Sequence, residues 1–238
     1  DVTKFKLVQE ADEMKAAEKA VELINAGEGN LLMKGLVTSD KYMRAILNKD
    51  KGLMPGPNAI LSHVTVIETP NYPKLLIVSD VAIIPAPDLK QKIAITNFVI
   101  QTAHALGNTN PKVALIAATE QMSLGMPACV DAAILSKMAD RGQIKGALID
   151  GPLALDVAVD KESCEIKRLK SPVAGDAARM VFPNIESGNV FFKTNTKLCN
   201  AELGAVVFGA KVPAVLTSRG DSEKTKLYSI ALAAMIAK

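Results

Sequence analysis

An alternation of two kinds of segment limits what this chain can fold into. Short apolar runs rich in Val, Ile and Leu occupy 30–36, 60–67, 75–78, 113–117, 147–149, 180–182, 205–208 and 214–216. Most lack strict in/out alternation, the pattern of strands covered on both faces of a parallel sheet. Longer stretches with helical spacing separate them. Residues 88–106 place Leu89, Ile93, Phe98, Ile100 and Ala103 near one helical face. Pro127 opens a second helix that stops before Gly142, a start and a stop in the expected order. A third begins at the serine cap Ser222, with Leu227, Ile230, Ala231, Ala234 and Met235 as its apolar stripe. Strand–helix alternation predicts an α/β fold, an open parallel sheet with crossover helices. The exception is 59–78, where Asn71 and Pro73 mark a turn between apolar runs and predict an antiparallel hairpin.

Composition narrows the function classes. Hydrophobic residues are 49% and charged residues 22%, enough for a real core and against disorder. The net charge of +3 is scattered, which does not point to nucleic acid. No apolar run reaches the length of a membrane-spanning helix, and Asp1-Val2-Thr3-Lys4 has no signal-peptide core. The expectation is therefore a cytoplasmic protein with no membrane partner. Cys129, Cys164 and Cys199 are far apart, and only His63 and His104 accompany them, so neither a disulfide framework nor a metal site is expected. No linker, repeat or charge run divides 1–238.

Ligands of open parallel sheets bind where strands end and helices begin. Six places fit: Lys34-Gly35, Asp80, Glu120, Asp150-Gly151-Pro152, Gly175-Asp176 and Thr217–Ser222. The last offers two hydroxyls, a cation and a glycine immediately before a helix. Backbone N–H groups at a helix start favour an anion, and Arg219 adds a planar fork suited to phosphate oxygens. Its plainer alternative is a capped helix with an Arg219–Asp221 surface pair. Lys34-Gly35 supplies a second cation, followed by Thr38, Ser39 and Arg44. Asp80, Asp150 and Asp176 read as closing their strands, each a cap or acceptor when taken alone. His63 reads as a satisfied sheet residue, and His104 as a partner of its helix's C-terminal carbonyls. The Gly-rich dinucleotide and triphosphate loops and the nucleophile elbow are absent, as is the aspartate cluster a metal-dependent dehydrogenase needs.

Longer motifs carry a resemblance. Asp140-Arg141-Gly142-Gln143-Ile144-Lys145-Gly146 is followed by Asp150-Gly151-Pro152-Leu153-Ala154-Leu155-Asp156 and by Ser171-Pro172-Val173-Ala174-Gly175-Asp176-Ala177. Then come Pro183-Asn184-Ile185-Glu186-Ser187-Gly188-Asn189-Val190 and Val212-Pro213-Ala214-Val215-Leu216-Thr217-Ser218-Arg219. Upstream, Leu61-Ser62-His63-Val64 and Ala86-Pro87-Asp88-Leu89 extend the match. Over nearly its whole length the chain resembles the phosphate acetyltransferase/phosphate butyryltransferase family, nearest the butyryltransferase branch. Members of that family carry at least one more βα unit before the position of Asp1.

The resemblance implies a fold like that of isocitrate and isopropylmalate dehydrogenases: two lobes, a cleft between them, and a homodimer. It implies reversible acyl transfer between CoA and inorganic phosphate, with CoA as substrate and neither metal nor other cofactor. Ser218 and Arg219 would hold phosphate and Arg44 would assist, with Lys34 and Thr217 beside them. The acid of acetyl-transferring relatives falls where this chain reads Glu223-Lys224-Thr225; Asp221, nearest to Ser218, is the first choice for general base and Asp176 the second. Three residues depart from the family pattern: Met54 and Pro57 stand in a loop that is basic elsewhere, and Ile84 stands where Asn-Ile is common. They keep open an alternative, a non-catalytic or altered-specificity binding relative.

Overall fold

Every apolar run overlaps a strand in the computed structural model, which describes residues 2–217 and 220–237. The strands are β1 (Leu32–Met33), β2 (Ser62–Glu68), β3 (Leu76–Ser79), β4 (Lys112–Ile116), β5 (Leu148–Leu153), β6 (Arg179–Val181), β7 (Glu202–Phe208) and β8 (Ala214–Val215). The helices are α1 (Glu13–Asn25), α2 (Ser39–Leu47), α3 (Leu89–Ala105), α4 (Pro127–Asp140), α5 (Leu155–Val159), α6 (Lys161–Ile166), α7 (Ile185–Leu198) and α8 (Glu223–Ile236). Local chemistry explains where the helices start. Asp88 and Gln91 form a reciprocal capping box ahead of α3. Proline opens α4, where its missing N–H costs nothing. Ser222 Oγ accepts the Thr225 N–H at 3.1 Å ahead of α8.

The α/β reading and the β2–β3 hairpin hold, but the sheet is mixed rather than parallel, and single. Its order is β1-β8-β7-β2-β3-β6-β4-β5. β1 runs parallel to β8; β7 opposes β8 and β2; β2 opposes β3; β3, β6, β4 and β5 are parallel. The reason is physical. β2 and β7 are central strands buried on both faces almost throughout. A central antiparallel strand then shows the same unbroken apolar run as a parallel one.

Strand direction places the site. β1 and β8 point one way, and β3, β6, β4 and β5 point the other. The carboxyl ends of these two groups therefore open on opposite edges of the sheet. One face is covered by α3 and α8 over a cluster containing Val64, Ile77, Val99, Val206 and Leu232. The other face carries two clusters. Leu61, Val207 and Ala214 pack with residues of α1 and α2; Ile67, Val78 and Ala205 pack with residues of α5 and with Phe191 and Phe192 of α7.

α8 corrects one expectation. Its buried residues are Ser229, Leu232 and Ala233, whereas Leu227, Ile230 and Met235 of the predicted stripe are exposed. Hydrogen bonding decides which side docks. β7 pairs with β8 only at Val207↔Ala214, and the Ala205 N–H donates to Ser229 Oγ at 3.0 Å instead. That hydroxyl in turn donates to the Thr225 carbonyl at 2.7 Å. Gly204 lets α8 come close, since a Cβ there would lie 2.9 Å from Tyr228 backbone.

Candidate active site

The pairing of β1 with β8 joins two segments that are far apart in sequence. Met33 lies beside Val215, and the Lys34 N–H donates to the Val215 carbonyl at 3.3 Å. Lys34-Gly35 and Thr217 thus leave the sheet side by side. Both Lys34 and Thr217 are buried. The Lys34 ammonium donates to the carbonyls of Val37 at 3.2 Å and Gly35 at 3.4 Å, bracing the turn into α2. Thr38 caps that helix, and the Tyr42 hydroxyl ties it to the Leu32 carbonyl of β1 at 2.9 Å. Ser218 and Arg219 lie outside the described residues. Asp221 follows them, one residue before the Ser222 cap.

His63 is, as the sequence reading had it, a buried and hydrogen-bonded residue of the sheet. It stands on β2, opposite Val207 of β7, and is 6% exposed. Its Nδ1 lies 3.2 Å from Thr65 Oγ1. Burial pushes its pKa below the usual 6.5; the negative charges of Asp80 and Asp221 oppose that shift, and Lys193 adds to it. The available signal was a histidine and a threonine two apart in an apolar strand, hence on one face.

Asp80 does close β3, as expected. Its carboxylate is occupied structurally. Oδ2 accepts from Ser62 Oγ at 3.0 Å and the His63 N–H at 3.2 Å, and Oδ1 accepts from the N–H groups of Ala82 at 2.7 Å and Ile83 at 2.9 Å.

Other expected positions fall elsewhere. Asp176 precedes β6 instead of closing a strand. Both Lys74 and Lys112 pair with its carboxylate, and they hold its pKa below the ordinary carboxylate value, Lys74 first. β7, β2 and β3 separate β6 from β8, so the two strands are about 19 Å apart at ordinary strand spacing. Asp150 lies within β5 rather than after it, and its Oδ1 accepts the Gly151 N–H at 2.8 Å. Arg44 sits on the solvent side of α2, 72% exposed, paired with Asp40 at 3.1 Å. His104 does not serve its own helix: its Nε2 meets the Gly146 carbonyl at 2.8 Å, on the approach to β5. Two of the departing residues are used for packing. Ile84 belongs to the core under α3, and Met54 packs against the cluster under α1 and α2. Among the described residues, no three of His, Cys, Asp or Glu come together as a metal-binding group, and no helix is long and apolar enough to cross a membrane.

Comparison with known proteins gives a consistent result along the chain. Residues 1–234 match the family described as phosphate acetyl/butaryl transferase. The chain is 48% identical over 237 residues to the phosphate butyryltransferase of Clostridium acetobutylicum, covering all of this chain and 78% of that protein. It is 42% identical over 222 residues to the phosphate acetyltransferase of Thermotoga maritima, covering 93% of this chain and 75% of that one. The crystal structure of a branched-chain phosphotransacylase from Enterococcus faecalis superposes with a TM-score of 0.87 at 34% identity, covering 98% of this chain and 82% of that one.

Proposed function

Because the chain belongs to the phosphate acetyl/butaryl transferase family, we propose that it moves a short acyl group, butyryl or similar, reversibly between CoA and inorganic phosphate. The observation that carries this reading is the 48% identity to a phosphate butyryltransferase across the whole chain. The geometry supports it by setting Lys34-Gly35 beside the Thr217 strand end, directly ahead of the N-terminus of α8.

In this reading Ser218 and Arg219 hold phosphate, Thr217 lines the turn, and Arg44 swings from the α2 surface to assist. A phosphate oxygen attacks the thioester carbonyl, and negative charge gathers on the carbonyl oxygen of the tetrahedral state. Cations and N–H donors aimed at that oxygen supply the largest share of the acceleration. No protein nucleophile is needed. Alignment of two bound reactants alone is worth roughly 7–11 kcal/mol. Asp221 takes the proton that the attacking phosphate gives up and passes it to sulfur as the tetrahedral state collapses and the C–S bond breaks; in reverse, the Asp221 carboxylate removes the thiol proton as sulfur attacks acyl phosphate. In this reading the two reactants meet in a cleft between two lobes of the fold. The protein acts in the cytoplasm as a homodimer, and the exposed apolar face of α8 supplies a contact surface.

Release of free thiol from butyryl-CoA tests the proposal. Release that depends on phosphate supports it, and Arg219→Ala then raises the phosphate KM and lowers kcat by orders of magnitude. Wild-type protein that releases no thiol from butyryl-CoA or acetyl-CoA overturns it. That result favours a second reading, a binding relative without chemistry, to which the packing of Met54 and Ile84 into apolar clusters lends support.

A further inference from the structure

The parallel strands β3, β6 and β4 are neighbours in the sheet, so their first residues share one edge. Each strand brings a cation to that edge. Lys74 precedes β3, Arg179 opens β6 and Lys112 opens β4. Neighbouring strands lie about 5 Å apart, which sets the three starts in one short row. Arg179 stands level with Ile77 on one side and Val113 on the other. Successive side chains of a strand point to opposite faces, so Arg179 leans to the α3 side of the rim and Lys112 to the α5 side.

A single carboxylate sits among these cations. Asp176 pairs with both lysines, with Lys112 at 3.0 Å, and Lys74 also donates to its carbonyl at 3.4 Å. The loop carrying Asp176 is pinned on either side. The Gly175 N–H donates to the Val157 carbonyl at 2.7 Å and the Ala177 N–H to the Ala158 carbonyl at 3.0 Å; the Tyr72 hydroxyl donates to the Ala177 carbonyl at 3.1 Å. Both lysines still reach solvent, at 40% and 35% exposure. Arg179 Nε is buried and has no hydrogen-bond partner among the described residues. A buried donor left unpaired is costly and calls for an acceptor. Glu68 and Glu202, which end β2 and open β7 on the same edge, line the hollow beside α8 instead. Three cations and one carboxylate leave a surplus of two positive charges at this rim.

We propose that Lys74, Lys112 and Arg179 form a second anion site, for a phosphate ester, separate from the turn after β8. A phosphomonoester matches the row: its negative charge meets the surplus, and its oxygens accept from two ammonium groups and a planar fork. Asp176 is the internal counter-ion, keeping the lysines at the rim and yielding part of their hydrogen bonding to the ester. β1 and β8 end on the edge where β3, β6 and β4 begin, so the site lies about 19 Å along that edge from β8. Two sources supply this chemistry, the nucleotide end of CoA and a free nucleotide. The site depends neither on Asp221 nor on turnover.

Calorimetric titration of the full chain with adenosine 3′,5′-bisphosphate at low ionic strength is the test, and it needs no reaction. The double variant Lys74→Gln/Lys112→Gln is expected to weaken binding about tenfold or more, the scale of lost charge-assisted hydrogen bonds. Asp176→Asn is expected to tighten it several-fold, because both lysines lose their internal acceptor. A merely structural ion pair cannot give opposite signs, since either change breaks it. Lys137→Gln, a surface charge on α4, is the control and leaves binding unmoved. Added salt weakens the wild type toward the lysine variant. Should the lysine variant fail to fold, Arg179→Gln takes its place with the same expected direction. Bisphosphate that displaces CoA assigns the site to the CoA nucleotide; bisphosphate that binds beside CoA assigns it to a free nucleotide. Absent binding, binding unmoved by the lysine change, or a shift in the same direction for Asp176→Asn and the lysine variant overturns the proposal. Inorganic phosphate held there as tightly as the bisphosphate also overturns it. A wild type inactive toward butyryl-CoA sinks the acyl-transfer reading and leaves this site standing.

Discussion

Asp80 Oδ2 accepts the His63 backbone N–H at 3.2 Å, locking the end of β3 to the start of β2. The same carboxylate holds Ser62 Oγ and the N–H groups of Ala82 and Ile83. Replacing it with a methyl group strands several buried donors, each costing roughly 1–3 kcal/mol. Asp80→Ala is therefore expected to lose about 3 kcal/mol or more by urea denaturation, and Asp80→Asn, which retains one acceptor oxygen, distinctly less. A loss below about 1 kcal/mol in the Ala variant would show that this carboxylate is not the clasp described.

Lys92 and Asp131 join α3 to α4 through an ion pair of 2.6 Å, with the Lys92 side chain only 8% exposed. Asp131→Ala leaves that ammonium buried without its carboxylate, at a cost of about 3–5 kcal/mol. The double variant Lys92→Met/Asp131→Leu removes both charges and is expected to lie within about 1 kcal/mol of wild type. A double-mutant cycle checks this: a double variant as unstable as Asp131→Ala contradicts it.

How much of this was legible in the sequence depended on whether the signal was local. All eight apolar runs became strands, and Asp88, Pro127 and Ser222 started helices where their side chains dictate. The direction of β7 was not legible, because burial on both faces erases the alternation that distinguishes an exposed antiparallel strand. The contact of His63 with Asp80 was hidden for a different reason: it exists only once β2 and β3 have paired. The outward stripe of α8 misled because periodicity reports a face, not what that face meets.

Gly188 shows close packing that a motif alone cannot explain. A Cβ there would lie 2.3 Å from the Asp80 carbonyl oxygen, a backbone atom that cannot turn aside. Gly188→Ala must lift α7 away from the end of β3, with an expected loss of about 1–3 kcal/mol. Gly56→Ala, with open space at its Cβ position, is the control and leaves the melting temperature unchanged. Equal melting temperatures for all three proteins would refute the close approach.

Asp176 has a pKa held down by Lys74 and Lys112. A depressed carboxylate stabilises the fold above its unfolded value, near 3.8, and that stabilisation is lost as pH falls toward the folded value. The side chain is half exposed, so solvent screening limits the effect to about 1 kcal/mol or less. The stability gap between wild type and Asp176→Asn should therefore be small at pH 7 and close below pH 3.8. The phosphate KM of Asp176→Asn is expected to match wild type, since three strands lie between β6 and β8. A raised phosphate KM would return Asp176 to the binding site.

α8 turns Leu227, Ile230 and Met235 toward solvent at 62%, 37% and 54% exposure. It does so because Ser229, not an apolar residue, meets the freed Ala205 N–H. The outward stripe has helical spacing and includes small residues that permit close approach. Such a patch on a folded surface marks a contact site. If a second copy covers it in solution, Ile230→Lys places a charge in an apolar contact and drives the dimer toward monomer. Light scattering at micromolar concentration reads this as a halved mass, with the far-ultraviolet spectrum unchanged. An unchanged mass in a folded Ile230→Lys protein would move the dimer contact to another surface.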